Sequence, residues 1–328
     1  SKRLADEADA QVAPIHALLD FWRAMRWLDA AWPPDKPAKL GRIGNATLQA
    51  ALAELFDPTR NLVATLHAGQ VEGRSAGVET ANALLARTLA LAARERFFHW
   101  WTAFPTAFGG SDPGFDAVIG NPPWDRIKLQ EVEWFAERDL TIAAQPRAAD
   151  RKAMIAKLQR DNAPLAGDYA EAVERAEANA RVLGKAGDYP LLGGGDVNVY
   201  SLFVERAQAL VKPSGVVALL TPSGIAADKG AAAFFRSIAT TGRLGALLDF
   251  ENRKVFFPDV DSRFKFCALV FGGQERRFEK TRCAFFLHAL HELDSAGGGL
   301  ALTAADFALV NPNTGAAPIL RNARDAQI

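Results

Sequence analysis

Apolar positions recur every three to four residues through the first hundred, as at Ile15, Leu18, Leu19, Trp22 and Met25, and again at Leu84, Leu85, Leu89 and Ala92 around Thr88. That is the period of a helix with one buried face, so the Ala/Leu/Arg-rich text from about 5 to 104 predicts three or four packed helices. Pro33, Pro34 and Pro37 make a connector between the first two helical stretches, Asn45-Ala-Thr is a start signal, and Asp57-Pro58 is a break.

The pattern changes at residue 109. Gly109 to Gly114 reads as a loop, and Phe115-Asp-Ala-Val-Ile-Gly120 is a glycine-bounded apolar run of strand length, ending in Asn121-Pro122-Pro123-Trp124. From about 147 to 185 the text is charged, alanine-rich and helical, which predicts an inserted helical hairpin. After Gly193-Gly194-Gly195, Asp196 is placed to cap a helix with Val199, Leu202, Phe203, Ala207, Leu210 and Val211 on its apolar face, stopped by a turn at Lys212-Pro-Ser-Gly215. Strands at 216–220, 244–250 and 266–271 then alternate with a helix around 231–240. Such alternation predicts a doubly wound α/β sheet. Three regions follow: a helical region 1–108, an α/β region 109–275 with its insertion at about 147–190, and an extension 276–328.

Composition narrows the function only a little. Lysine plus arginine equal aspartate plus glutamate at 38 each in 328 residues, so there is no overall basic excess, and the totals neither demonstrate nor exclude a nucleic-acid partner. Nearly half the residues are apolar, enough for a substantial core. No run approaches the ~18 apolar residues of a membrane span. Cys267 and Cys283 both sit in strand-like apolar runs, and a reducing cytoplasm is the expected compartment.

The chemistry concentrates in Asn121-Pro122-Pro123-Trp124. A motif directly after a strand of an open α/β sheet sits at the carboxyl edge, where such folds bind ligands. An exocyclic amine on a heteroaromatic ring is a poor nucleophile because its lone pair is delocalised into the ring. Two acceptors aimed at its two N–H bonds can turn that lone pair toward an electrophile. The Asn121 side-chain oxygen can be one and the Pro122 carbonyl the other, with both prolines holding φ near −65°. Trp124 then offers a stacking surface for a base swung out of a duplex. Neither a general base nor a metal is needed.

At this point the sequence resembles the adenine-N6 (gamma-type) DNA methyltransferases, and within them the large type IIG restriction-modification and phage-exclusion enzymes. Phe115 to Trp124 is similar to their acceptor-base motif. Asp196-Val-Asn-Val-Tyr200 to Ala207 is similar to the helix that follows it, Lys212 to Pro222 to the next strand and proline turn, and Leu247-Leu-Asp-Phe with Val255-Phe-Phe-Pro-Asp-Val-Asp261 to the segments after that. Asn311-Pro-Asn-Thr314, Pro318 and Arg324-Asp325-Ala326 are similar to the stretch leading into a target-recognition domain. The resemblance implies S-adenosylmethionine as cofactor, double-stranded DNA as substrate, other subunits or domains of a restriction or defence system as partners, and no membrane. It also implies that Asn121 and Pro122 hold the amine, with Trp124 stacking and a second aromatic on the other face of the base. Phe256, Phe257 and Phe264 are all candidates for that aromatic, and Arg126 and Lys128 are candidate phosphate contacts.

The chain also departs from this pattern. No strand before residue 115 leads into a glycine-rich turn, and Gly193 to Gly195 has no convincing strand before it, so the cofactor motif is expected to lie outside this chain, as is the recognition domain. The isolated chain is then expected to be inactive. His288 and His291 near Cys283 lack a second ligand pair, so no metal is expected there. Asp249, Glu251 and Lys254 have the wrong spacing for a nuclease. Two other functions fit parts of the pattern: an N-methyltransferase acting on a protein glutamine or an RNA base, and a non-catalytic α/β module that binds DNA or a partner.

Overall fold

A computed structural model describes residues 2–30, 45–185, 187–195, 197–294, 299–311, 316–318 and 320. The chain divides into two compact units, Ser1–Ser111 and Asp112–Ile328. The proline connector at 33–37, Asp196, Asn313, Thr314 and Arg324 to Ala326 lie outside the described residues.

The first unit is helical: α1 (Lys2–Ala30), α2 (Asn45–Leu55), α3 (Leu62–Ala68), α4 (Ala76–Glu95) and the single turns α5 (Trp100–Ala103) and α6 (Pro105–Phe108). Helix α2 stops at the Asp57-Pro58 break, where Asp57 Oδ1 accepts the Thr59 N–H at 2.8 Å. Ser75 caps α4 by accepting from Val78 N. Phe21, Leu55, Leu66, Leu84 and Leu85 meet in the unit's core. The expected stripe of α1 holds in part: Leu18 and Met25 pack on this core, but the most buried positions are others. Phe21, Ala24 and Trp27 are buried, while Ile15 and Trp22 are more than half exposed. Several stripes of that helix are apolar, and its partners α3 and α4 select among them.

The second unit is α/β: β1 (Phe115–Gly120), α7 (Glu131–Ala136), α8 (Leu140–Ala143), α9 (Ala148–Asp161), α10 (Ala163–Lys185), α11 (Val199–Leu210), β2 (Val211–Pro222), α12 (Gly224–Ala227), α13 (Ala232–Ala239), β3 (Leu244–Glu251), β4 (Lys265–Gly272), β5 (Thr281–Leu287), β6 (Leu300–Leu302) and α14 (Ala304–Val310). The strands form one mixed sheet in the order β1-β2-β4-β3-β5-β6. β1 and β2 are parallel, as are β3 and β5, whereas β4 runs antiparallel between β2 and β3. The carboxyl ends of β1, β2, β3 and β5 therefore meet the amino end of β4 along one edge.

One face of the sheet buries Val217, Leu219, Leu247, Leu269 and Phe271 against α11 and α13, through Val204, Phe234, Phe235 and Ile238. Alternate residues point to the other face. There Val216, Ala218, Val270 and Ala246 are only half buried, and Ile119 on the edge strand β1 is 81% exposed. The described helices of the main core thus line a single face of the sheet.

Three local expectations change. The turn expected at Lys212–Gly215 is part of β2, whose register against β1 slips between the pairs Phe115↔Val211 and Ala117↔Val216. Lys212 Nζ reaches Asp116 at 2.7 Å across this bulge. Gly215 is required there, because a Cβ would stand 2.7 Å from the Asp116 carbonyl oxygen. Helix α11 has Asn198 at its N-cap and no side-chain cap bond. The 276–328 stretch supplies β5 and β6 to the same sheet.

The insertion is the expected hairpin, α9 followed by α10. It packs on α7 and α8 through Phe135, Ile142 and Leu158, with Trp134 edge-on to Phe135 and Tyr169.

Cys267 and Cys283 are both fully buried, and burial pushes each thiol up to about 12. A thiol reacts as its thiolate, so Ellman's reagent is expected to titrate neither cysteine in the folded chain and both in guanidinium. One fast native thiol would contradict this packing.

Candidate functional site

Strand β1 ends at Gly120, and the next four residues occupy the carboxyl edge of the sheet. Asn121 and Pro123 are exposed, Pro122 is buried and Trp124 is half buried. Pro122 and Pro123 lack an N–H to pair with a neighbouring strand, so the chain leaves the sheet here with φ restricted at two successive residues. Among the described residues the Asn121 side chain has no hydrogen-bond partner. The indole is anchored more firmly: Trp124 Nε1 donates to the Leu220 carbonyl of β2 at 3.4 Å.

The aromatic residues left open by the sequence sort by position. Phe264 lies flat on the Trp124 indole, with centroids 5.5 Å apart and planes 8° from parallel. Phe257 meets the same indole edge-on at 5.2 Å. Phe256 instead packs behind them, on Phe250 and Phe266. A base inserted between two rings needs them about 7 Å apart, one carbon contact distance on each side. The Trp124 face under Phe264 is therefore covered, and Phe264, 38% exposed, must move before a base can use that face.

The loop between β3 and β4 carries all three phenylalanines, and one residue that the sequence did not single out organises it. Asn252 is completely buried. Its Nδ2 donates to the carbonyls of Phe257 at 2.8 Å and Val260 at 3.1 Å, and its Oδ1 accepts the Phe257 N–H at 2.9 Å. Its own N–H donates to the Phe264 carbonyl. Arg253 and Lys254 follow with φ of 43° and 60°, a left-handed corner that non-glycine residues avoid. A buried asparagine after a strand resembles any turn residue in sequence, so only its partners give it away.

Charges on this edge are mostly paired. Glu251 lies 2.6 Å from Arg253, 3.2 Å from His288 and 3.3 Å from Lys265. Arg253 above all, then His288 and Lys265, hold its carboxyl down at about 2. Arg263 is engaged by Asp261 at 2.7 Å. Deeper in, the Ser223 hydroxyl donates to Asp249, whose carboxyl burial pushes upward. Paired loop cations make a weaker phosphate-binding surface than free ones would. Arg126 and Lys128 are exposed. Arg126 forms a β-bridge with Asn198, and Lys128 borders a cleft of about 380 Å³ beside α10 that also contains Glu131 and Glu177.

A cradle for S-adenosylmethionine needs a strand leading into a glycine-rich turn. Among the described residues, only helices precede β1. The Gly193–Gly195 loop follows α10 and is pinned by Glu205, which accepts the Leu191 and Leu192 N–H groups at 2.9 and 2.7 Å. Gly193 is required by packing, since a Cβ would stand 2.5 Å from the Tyr189 carbonyl oxygen. The described residues therefore do not fit this cofactor.

The six-stranded mixed α/β sheet is consistent with a methyltransferase-like fold. Residues 59–151, which include β1 and Asn121–Trp124, match the family described as Eco57I restriction-modification methylase. No curated protein matches the chain. Similar solved structures are the DrdV–DNA complex studied by cryoEM (13% identity, TM-score 0.30, 68% of this chain and 19% of that one), a nuclease-deletion mutant of the Type ISP restriction-modification enzyme LlaGI with a DNA substrate mimic (10%, 0.27, 68% and 15%), and the ATP-dependent Type ISP enzyme LlaBIII bound to DNA (8%, 0.26, 66% and 12%). The chain spans less than a fifth of the length of each of these. No described helix is long and apolar enough to cross a membrane.

Proposed function

We propose that this chain supplies the acceptor-base half of an S-adenosylmethionine-dependent DNA adenine-N6 methyltransferase, in a restriction-modification or phage-defence protein. The observation that carries the reading is the placement of Asn121-Pro122-Pro123-Trp124 at the carboxyl edge of the sheet, beside Phe257 and Phe264. The adenine amine donates one N–H to Asn121 Oδ1 and the other to the Pro122 carbonyl, an arrangement that favours a pyramidal nitrogen whose lone pair is withdrawn from conjugation with the ring. The flipped base stacks on Trp124, a contact on the order of 1–3 kcal/mol, and takes the place of Phe264. Phe257 supports the indole from its edge.

The methyl donor is held by residues outside those described here. The outer edge of β1 has no partner among the described strands, and Ile119 beside it is exposed, so a further parallel strand carrying a glycine-rich turn has a place to add. Arg126 and Lys128 contact DNA phosphates next to the flipped base.

The test joins this chain to a cofactor-binding segment, incubates it with S-adenosylmethionine and DNA, and identifies the product nucleosides by mass spectrometry. N6-methyladenine is expected. N4-methylcytosine would overturn the adenine assignment, and transfer to a protein glutamine or to RNA but not to DNA would move the substrate class. No transfer at all, with DNA binding retained, would make the chain a non-catalytic module.

A further inference from the structure

We propose that His16, Asp20 and His99 form a binding site for a divalent transition-metal ion, with zinc as the occupant. The first two lie one turn apart on α1, so they share a face of that helix. His99 immediately precedes α5, where its side chain makes no cap bond and reaches α1 instead. Asp20 stands between the imidazoles, with Oδ1 2.8 Å from His99 Nε2 and Oδ2 3.2 Å from His16 Nδ1. Donor atoms of all three residues lie within 4.8 Å of one another, and among the described residues no other three such side chains do so. The two rings are 4.9 Å apart and nearly perpendicular.

These distances are close to those of a metal shell. Zinc bonds of about 2.0–2.2 Å in a tetrahedron put neighbouring donors roughly 3.3–3.5 Å apart. The two Asp20 contacts, one through each carboxylate oxygen, are near that value already, and the imidazole donors lie within 4.8 Å of each other. Two imidazoles and one carboxylate suit zinc and its first-row neighbours, whereas calcium and magnesium prefer shells built from oxygen. Three protein ligands leave a position for water. Access is from one side, since the His99 side chain is 11% exposed and that of His16 42%. An ion held here ties α1 to the start of α5 within the helical unit, a link independent of the sheet and its edge motif. The competing arrangement is a carboxylate that accepts a proton-mediated bond from each imidazole, with no ion.

Titration of the whole chain with zinc by calorimetry, and with cobalt(II) by visible absorption, separates the two. One equivalent is expected to bind with micromolar or tighter affinity, cobalt is expected to show the strong d–d bands of a four- or five-coordinate site, and zinc is expected to raise the melting temperature. His16→Gln, at the open side of the site, and His99→Ala are each expected to weaken binding at least tenfold, with His16→Gln keeping the helical circular dichroism spectrum. His67→Ala and His291→Ala are expected to change nothing. Absence of binding, octahedral cobalt only, or unchanged affinity in a folded His16→Gln chain would each overturn the site.

Discussion

Asn121→Ala, in a protein that joins this chain to a cofactor-binding segment, is expected to lower methyl incorporation into adenine by about 10²–10³-fold, the usual loss when one preorganised hydrogen bond to a reacting group is removed. The physical basis is the position of the side chain. Asn121 is exposed at the carboxyl edge, while the neighbouring acceptor, the Pro122 carbonyl, belongs to the backbone and survives the substitution. With one acceptor left, the amine can still bind but is no longer held pyramidal. Asn121→Asp keeps an acceptor oxygen and is expected to retain most of the activity. Tritiated methyl transfer, with cofactor affinity measured separately, reads the effect. Wild-type rates in Asn121→Ala would remove this residue from the reaction, and a matching loss of cofactor binding would show that it acts elsewhere.

Asn252→Ala is expected to destabilise the second unit by about 2–4 kcal/mol. It leaves the partly buried Phe257 N–H and Val260 carbonyl without the Asn252 side chain, while the Phe257 carbonyl keeps the Val260 N–H, and each unpaired group costs about 1–3 kcal/mol. Urea denaturation followed by tryptophan fluorescence measures the change. Loss of these bonds also releases the left-handed corner at Arg253 and Lys254, so trypsin is expected to cut there faster at protein concentrations and temperatures where the chain is folded. A shift under about 0.5 kcal/mol, small for a buried hydrogen-bonded group, with unchanged proteolysis would show that the loop holds its shape without this side chain. Because Phe257 and Phe264 ride on the same loop, base stacking on Trp124 is expected to weaken in parallel.

Much of the second unit was legible because its signals are local. The run Phe115–Gly120 is apolar, of strand length and closed by two prolines, so β1 and the place of Asn121 at its carboxyl end follow from neighbouring residues alone. The apolar runs that became β3 and β4, the helix ending near residue 239, and the charged hairpin α9–α10 have the same quality. Strand β5 was visible only as the strand-like apolar run around Cys283, without bounds, and β6 was not predicted. β6 is three residues long, too short to display any period, and it exists because β5 offers it an edge.

The sequence by itself determined that a mixed helical and α/β chain places an Asn-Pro-Pro-Trp motif at the end of a strand, since side-chain periodicity and proline stereochemistry are properties of adjacent residues. The tertiary structure alone decided which stripe of α1 is buried and that Lys212–Gly215 is a bulge and not a turn. It also decided that Phe264 and Phe257 sit on Trp124 while Phe256 does not, and that Asn252 holds the loop that carries them. Each of these depends on a contact between residues far apart in the chain. Such contacts are chosen by which surfaces meet and which backbone groups need partners, and a one-dimensional pattern does not encode that directly.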